Sequence, residues 1–283
     1  MIPATFEYAA PTTVADALAA LRDSDDAKVL AGGQSLLPIL RMRLNAPELV
    51  IDLNKIDELR GVREDGDHLV IGAMTTYADV LASDLVREHA ALLSAAIAEV
   101  ADPQIRHRGT VGGALVHADP AGDVGAPVLA LDAEYVVTGS DGERTVAPGD
   151  FFQDLFETAV GEDELLTAIR IPKHTGWGAR YEKFVRVSHQ WSIVAVAATV
   201  KAEGGTIAEA KIGLTNMGST PLRASAVEQA LVGQPATDEA VRAAAAAAAD
   251  GTNPPSDLNG DADYRRHLAT VLTRRAVLAA AGA

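Results

Sequence analysis

Two glycine-rich segments hold the residues best suited to chemistry. The first is Ala31-Gly32-Gly33-Gln34-Ser35, with Leu36 opening the next stretch. The second is Thr110-Val111-Gly112-Gly113, preceded by Gly109. Glycine lets a backbone approach a ligand closely and take positive φ. Successive N–H groups in such a loop make a concave donor surface for an anion, and a helix N-terminus adds a favourable partial charge. The first segment has these parts in order: a strand, two glycines, Gln34, Ser35 as a helix cap, then a helix. The second repeats the logic, and Thr110 adds a hydroxyl donor. The chemistry implied is phosphate binding. A Gly-Gly pair also makes an ordinary turn, and the residues alone leave both readings open. No G-x-G-x-x-G follows the first strand, and no Walker lysine or G-x-S-x-G elbow occurs, so Rossmann, P-loop and hydrolase sites have no support.

The composition narrows the classes further. The chain has 283 residues with 24 basic and 39 acidic side chains, a formal charge of −15. That field repels a phosphate backbone, so nucleic acid is not an expected partner. There is no cysteine, which excludes disulfides, thiolate metal sites, cysteine-ligated iron–sulfur clusters and a cysteine nucleophile within this chain. His107 and His117 flank the second loop without an evident third ligand. They are expected to serve loop hydrogen bonds or the surface rather than a metal. Arg106 and Arg108 could meet phosphate, solvent or a partner. The N-terminus lacks the basic and apolar regions of a signal peptide, and no stretch has the apolar length of a membrane span. The expected location is the cytoplasm, without membrane insertion.

The positioning elements are read from periodicity. Helices are expected at residues 13–22, from 36 to 40, from 76 to 82, as one long helix over 85–100, near 224–231, at 238–249 and at 262–281. The last is expected to be amphipathic, with Arg265, Arg266, Arg274 and Arg275 on a solvated face. Strands are expected at 27–31, 48–53, 68–73, 164–171, 179–187, 193–201 and 207–215. The segments 133–139 and 143–146 form a hairpin around Asp141-Gly142. Residues 125–131 are apolar and buried. A composition shift at Pro172–Gly176 marks a linker. Beyond it the chain reads as strands then helices, an α+β pattern.

Longer segments carry a family resemblance. AGGQSLLPILRMRL, RHRGTVGGALVHADPAGD, ELLTAIRIP, YEKFVRV and DLNGDADYRRHLATVLTRRAV resemble the FAD-binding medium subunit of the molybdenum hydroxylases, in particular the aerobic carbon monoxide dehydrogenases. The resemblance covers nearly the whole chain. It implies an α+β fold of the vanillyl-alcohol-oxidase type. The FAD-binding domain would span 1–175, with subdomains of about 1–57 and 58–175, before a small α+β domain over 176–283. It implies that Ala31, Gly32, Gly33, Gln34, Ser35 and Leu36, with Thr110, Gly112 and Gly113, hold the FAD diphosphate. Asp123 would bond ribityl or ribose hydroxyls, Leu165 would give an apolar contact and Lys183 a basic one. Trp191 would lie beside the flavin, although Val187–Trp191 departs from the family's Gly-Asp-Tyr or Asp-Tyr pattern. No side chain is expected to act as a catalytic acid or base.

The resemblance also implies a division of labour. A large partner subunit would oxidise the substrate at a molybdopterin cofactor. A small partner would relay electrons through two [2Fe–2S] clusters. FAD in this chain would pass them to an external acceptor, such as a quinone, with membrane association through that acceptor. The assembly would be a dimer of heterotrimers. CO is the expected substrate, with an aldehyde or nitrogen heterocycle as the alternative within the family. The alternative outside it is a non-catalytic phosphate-ligand-binding or assembly module.

Overall fold

Apolar alternation and short loops sort the chain into three main sheets, each with its own core. The computed structural model describes residues 1–282. The first sheet is parallel. It comprises β1 (Glu7–Ala9), β2 (Ala27–Leu30) and β3 (Leu49–Asp52), with β3 in the middle. Parallel neighbours need crossovers, and α1 (Val14–Arg22) and α2 (Leu36–Arg41) supply them. Thr13 caps α1, its hydroxyl accepting from the Asp16 N–H. Ala17 and Leu18 of α1 pack with Ile51, Leu53, Ile56 and Leu59 to close this small core.

The second sheet is antiparallel. It contains β4 (Val62–Asp65), β5 (His68–Gly72), β6 (Glu134–Gly139), β7 (Gly142–Val146) and, after the small hairpin β8 (Phe152–Asp154) and β9 (Glu157–Thr158), β10 (Leu165–Pro172). The order is β4-β5-β10-β6-β7. Between β5 and β6 the chain runs through α3 (Tyr77–Ala82), α4 (Asp84–His89), α5 (Ala91–Ala98), α6 (Pro103–Arg106), α7 (Val111–His117) and α8 (Gly125–Ala130). Leu92, Leu93, Ala96 and Ile97 of α5 join Leu69, Ile71, Tyr135 and Ile169 in one core.

The third sheet has the order β11-β12-β13-β14 from β11 (Gly178–Phe184), β12 (Val194–Glu203), β13 (Thr206–Thr215) and β14 (Leu222–Arg223). Side chains alternate across a strand. On β12, Ala195 and Ala197 face the core around α5 and α8, while Val194, Val196, Ala198 and Val200 face the core under the C-terminal helices. Those helices are α9 (Ser225–Leu231), α10 (Asp238–Ala245) and α11 (Ala262–Ala281). The third sheet is therefore covered on both faces, and its inner face is shared with the helices beside the glycine loops.

Several elements depart from their expectations. The long helix over 85–100 is broken at Ala90, whose backbone (φ −142°, ψ 47°) is not helical. The break lets the His89 carbonyl accept from the His174 N–H, and the His89 ring meet the Thr175 hydroxyl at 2.7 Å. The strand expected over 179–187 ends at Phe184. The helix expected over 238–249 ends its last turn as a 3₁₀ segment, Ala246–Ala249. Arg265 is not on a solvated face: it is 0% exposed. The short β1 and the polar β4 were not expected at all. Residues 125–131, expected only to be buried, are mainly the helix α8. The hairpin forms as expected, with Gly139 opposite Gly142 and Gly142 at φ +106°.

The linker is packed. His174 is buried, its Nδ1 lies 2.6 Å from the Pro172 carbonyl, and its ring meets Trp177 edge-on. Burial pushes the His174 pKa below its ordinary value, despite the opposing bond to Pro172. The unfolded chain therefore takes up a proton here more readily than the folded one. This contribution to stability is present above about pH 6.5 and is lost as pH falls below it. Denaturant unfolding at about pH 7.5 and about pH 5.5 should show lower stability at the acid value, and His174→Gln should reduce that difference.

Candidate functional site

The two glycine loops lie against each other because Gly32 and Gly113 put no side chain at the contact. A Cβ on Gly32 would sit 2.2 Å from the Arg108 carbonyl oxygen and 2.8 Å from the Gly109 Cα. A Cβ on Gly112 would sit 2.5 Å from the Ala73 Cβ and 2.7 Å from its carbonyl oxygen. One on Gly113 would meet the Ala31 Cβ at 3.0 Å. Gly33 has a different reason to be glycine: its φ is +77°. Three of these glycines thus bring backbones together, and one sets the turn.

The loops differ in what their amides do. In the second, the Val111 N–H donates to the Thr75 carbonyl at 3.1 Å and the Gly112 N–H to the Ala73 carbonyl at 2.8 Å. Thr110 caps α7, its hydroxyl accepting from the Gly113 N–H at 3.2 Å. The amides of Val111, Gly112 and Gly113 are therefore bonded internally, while the Thr110 N–H has no acceptor among the described residues. In the first loop the N–H groups of Gly32, Gly33, Gln34, Ser35 and Leu36 have no acceptor among the described residues. Gln34 folds back, its side-chain amide donating to the Gly32 carbonyl at 3.0 Å. Ser35 sits at the cap position of α2, but its backbone is helical and its hydroxyl makes no capping bond. Its expected role as a side-chain cap is therefore not realised, and the donors of this helix start stay open.

Those donors line a cleft of about 570 Å³. Every residue expected at the site except Lys183 lies on its wall: Ala31 through Leu36, Thr110, Gly112, Gly113, Asp123, Leu165 and Trp191. The wall is largely apolar, with Ile39, Met74, Ile105, Val124 and Leu166 among its members. Trp191 is 68% exposed. Sequence reasoning did not single out Tyr77, His189 or Gln190, which also line it. Tyr77 reaches it by a tertiary bond from its N–H to the Gly109 carbonyl.

Lys183 stands behind Asp123. Its ammonium donates to Asp123 Oδ2 at 2.7 Å and to the Glu99 carbonyl at 3.0 Å. Tyr181 and Ser192 donate to Asp123 Oδ1 at 2.7 and 3.1 Å. Both charged side chains are nearly enclosed, 6% and 9% exposed. Burial pushes the Asp123 carboxyl up from its ordinary value, and Lys183, Tyr181 and Ser192 work against that rise. Burial and the nearby Asp123 together hold the Tyr181 hydroxyl far above its ordinary value, so it stays a donor. Arg106 is used internally, donating to the Val100 carbonyl at 2.7 Å. His107 Nδ1 lies 2.7 Å from the Pro103 carbonyl, and the His117 ring lies 5.2 Å from that of Phe156. No metal-binding group of side chains occurs among the described residues.

Comparison with known proteins gives the family. Residues 4–174 match the FAD-binding domain in molybdopterin dehydrogenase, and residues 179–280 match the CO dehydrogenase flavoprotein C-terminal domain. The chain belongs to the flavoprotein subunits of the molybdopterin dehydrogenases. It is 43% identical to the carbon monoxide dehydrogenase medium chain of Hydrogenophaga pseudoflava, over 99% of this chain and 98% of that one. The structure of carbon monoxide dehydrogenase from that organism, lacking the Mo-pyranopterin moiety of its cofactor, matches with a TM-score of 0.96 and 45% identity over 99% of this chain and 98% of that chain. Quinoline 2-oxidoreductase from Pseudomonas putida 86 matches with a TM-score of 0.95 but 31% identity, over 100% and 99% of the two chains.

FAD is the cofactor of this family, and the cleft suits it. A run of open amides at a helix start fits a diphosphate, and an apolar wall ending in an exposed indole fits fused aromatic rings. Bound FAD supplies a carrier that exchanges electrons singly or in pairs. The chain's own residues on this wall would bind and orient it.

Two substitutions test this construction. Asp123→Ala strands the buried Lys183 ammonium. It should cost about 3 kcal/mol of stability, read by denaturant unfolding of the FAD-free chain, and lower the flavin content of the purified protein. Gly32→Ala drives a methyl into the Arg108 carbonyl. It should cost about 1–3 kcal/mol and release FAD more readily on dilution, read by flavin fluorescence.

Proposed function

We propose that this chain is the FAD-carrying medium subunit of a CO-oxidising molybdenum enzyme. A large partner would hold the molybdopterin cofactor, and a small partner would hold two [2Fe–2S] clusters. Electrons would reach FAD here from the small partner and leave to an external acceptor, with a quinone as the proposed acceptor. The proposed assembly is a dimer of heterotrimers. The observation that supports CO is the gradient of similarity. Identity is 43–45% to carbon monoxide dehydrogenase chains over the full length but 31% to the quinoline enzyme with an equally similar fold. Fold alone does not separate the two substrates; the gradient of identity supports CO.

At the site, the open amides of Gly32 through Leu36 would take the diphosphate. Thr110, Gly112 and Gly113 would brace them, with the Thr110 hydroxyl as an added donor. Asp123 Oδ2 carries one protein donor and has capacity for another, which suits a ribityl or ribose hydroxyl. Lys183 would act through Asp123 rather than as a direct flavin contact. Leu165 and Trp191 would give apolar and stacking contacts. The domains would divide near residue 175, with the first domain itself dividing near residue 57. No described helix is long and apolar enough to cross a membrane.

The chain co-expressed with its neighbouring large and small subunits should yield a flavoprotein complex that reduces an artificial acceptor with CO as donor. Aldehydes and nitrogen heterocycles should give far lower rates. A complex active on an aldehyde or heterocycle and inert to CO would assign the alternative substrate class. A complex that releases no flavin on denaturation would remove the FAD reading itself.

A further inference from the structure

Arg265 is a charged side chain with 0% exposure, in the first turn of α11. Its guanidinium donates through Nη1 to the Ile193 carbonyl and through Nη2 to Asp257 Oδ1, the latter at 2.8 Å. Nε has no partner among the described residues. Asp257 is 45% exposed, so the cation is buried more completely than its counter-ion. Desolvating a guanidinium costs several kcal/mol, and apolar replacements of buried ion pairs are often neutral. Net stability alone is therefore a poor reason for an arginine here. The group it fixes is a better one.

Asn216, at the end of β13, addresses the same peptide. Its Nδ2 donates to the Ser192 carbonyl at 2.8 Å and the Ile193 carbonyl at 3.3 Å. Its own N–H donates to the Pro120 carbonyl at 2.8 Å, and its φ is +62°. Two elements distant in sequence thus converge on successive carbonyls. The Ser192 hydroxyl, on the same peptide, bonds Asp123 in the cleft. Directly before it come His189 (φ +70°), Gln190 and Trp191, all on the cleft wall.

We propose that Arg265, acting with Asn216, is a positioning residue for the flavin site: it clamps the Ser192–Ile193 carbonyls and so sets the Trp191 segment at the cleft mouth. The effect on flavin rests on the reading that Trp191 faces FAD; the clamp itself does not. The segment has no regular secondary structure; besides this peptide it is held by Ser192 on Asp123, by the Ile193 N–H on the Phe184 carbonyl and by His189, whose Nδ1 lies 3.8 Å from Asp102 Oδ2. A donor that orients a carbonyl fixes the peptide plane, and with it the direction in which the preceding residues leave.

The chain contains Trp177 and Trp191 as its two tryptophans, so Trp177→Phe leaves Trp191 as a single reporter. In that background, Arg265→Met keeps the volume and removes the donors, without leaving a buried cation. Asn216→Gly removes the other amide donor and tolerates the positive φ. In the FAD-free chain, each should lower Trp191 fluorescence anisotropy and raise acrylamide quenching, with cooperative unfolding retained. In the loaded chain, each should weaken FAD binding by roughly tenfold, the scale of one lost hydrogen bond to a charged group, and alter the visible circular dichroism of the flavin. Should Arg265→Met not fold, Asn216→Gly reads the same peptide alone. Trp191 anisotropy and quenching equal to the parent in a folded variant would overturn the clamp. Trp191→Phe with the clamp intact separates the other reading: unchanged flavin affinity and dichroism there would remove Trp191 from the flavin contacts, while the anisotropy result still stands for the clamp.

Discussion

The approach of one backbone to another at the two glycine loops is the constraint on which the site depends. Gly32 lies on the carbonyl of Arg108, and Gly112 lies on Ala73. The first sheet supplies one loop, and the helices crossing the second sheet supply the other. Any side chain at the contact would part them and widen the cleft. Because the second loop spends its amides on Ala73 and Thr75, it is anchored to the end of β5. The first loop, leaning on that anchor, can leave its own amides open. The two similar glycine motifs therefore differ in how many amides they leave open.

The third sheet completes this arrangement from the far side. Ala195 and Ala197 on β12 are small, so α5 and α8 can pack close to the sheet. That closeness brings Lys183 and Tyr181 within bonding distance of Asp123. The ion pair is enclosed, and its charges are matched by hydroxyl donors as well as by each other. Such a pair contributes little net stability by itself, but losing one partner is costly. It therefore fixes the relation between the C-terminal strands and the cleft rather than simply adding to stability.

Much of the architecture was legible in the sequence. The long apolar strands β12 and β13, the Asp141-Gly142 hairpin and α11 come from periodicity and turn chemistry. The glycine loops stood out by residue type, and family resemblance joined them to FAD. Illegible features were those set by distant partners. Ala90 belongs to an Ala- and Leu-rich run that reads as one helix, yet the His89 carbonyl is claimed by His174 across the linker. The polar β4 pairs with β5 without any alternation of its own to announce it. The sequence likewise could not show that Val111 and Gly112 donate to residues more than thirty positions upstream.

Arg265 shows the same limit from another direction. In sequence it is one of several arginines on a helix that mixes charges, and a solvated face is the simplest account. Arg266 and Arg274 fit that account, pairing at the surface with Asp263 and Asp238. Arg265 differs only by its angular position on α11, which turns it toward the Ile193 carbonyl. A helix repeats every 3.6 residues, so adjacent arginines point about 100° apart and can meet entirely different surroundings. The identity of the residue says that a charge is present. Only the packing of the helix against β11 and β12 says whether that charge faces water or holds the peptide next to the flavin cleft.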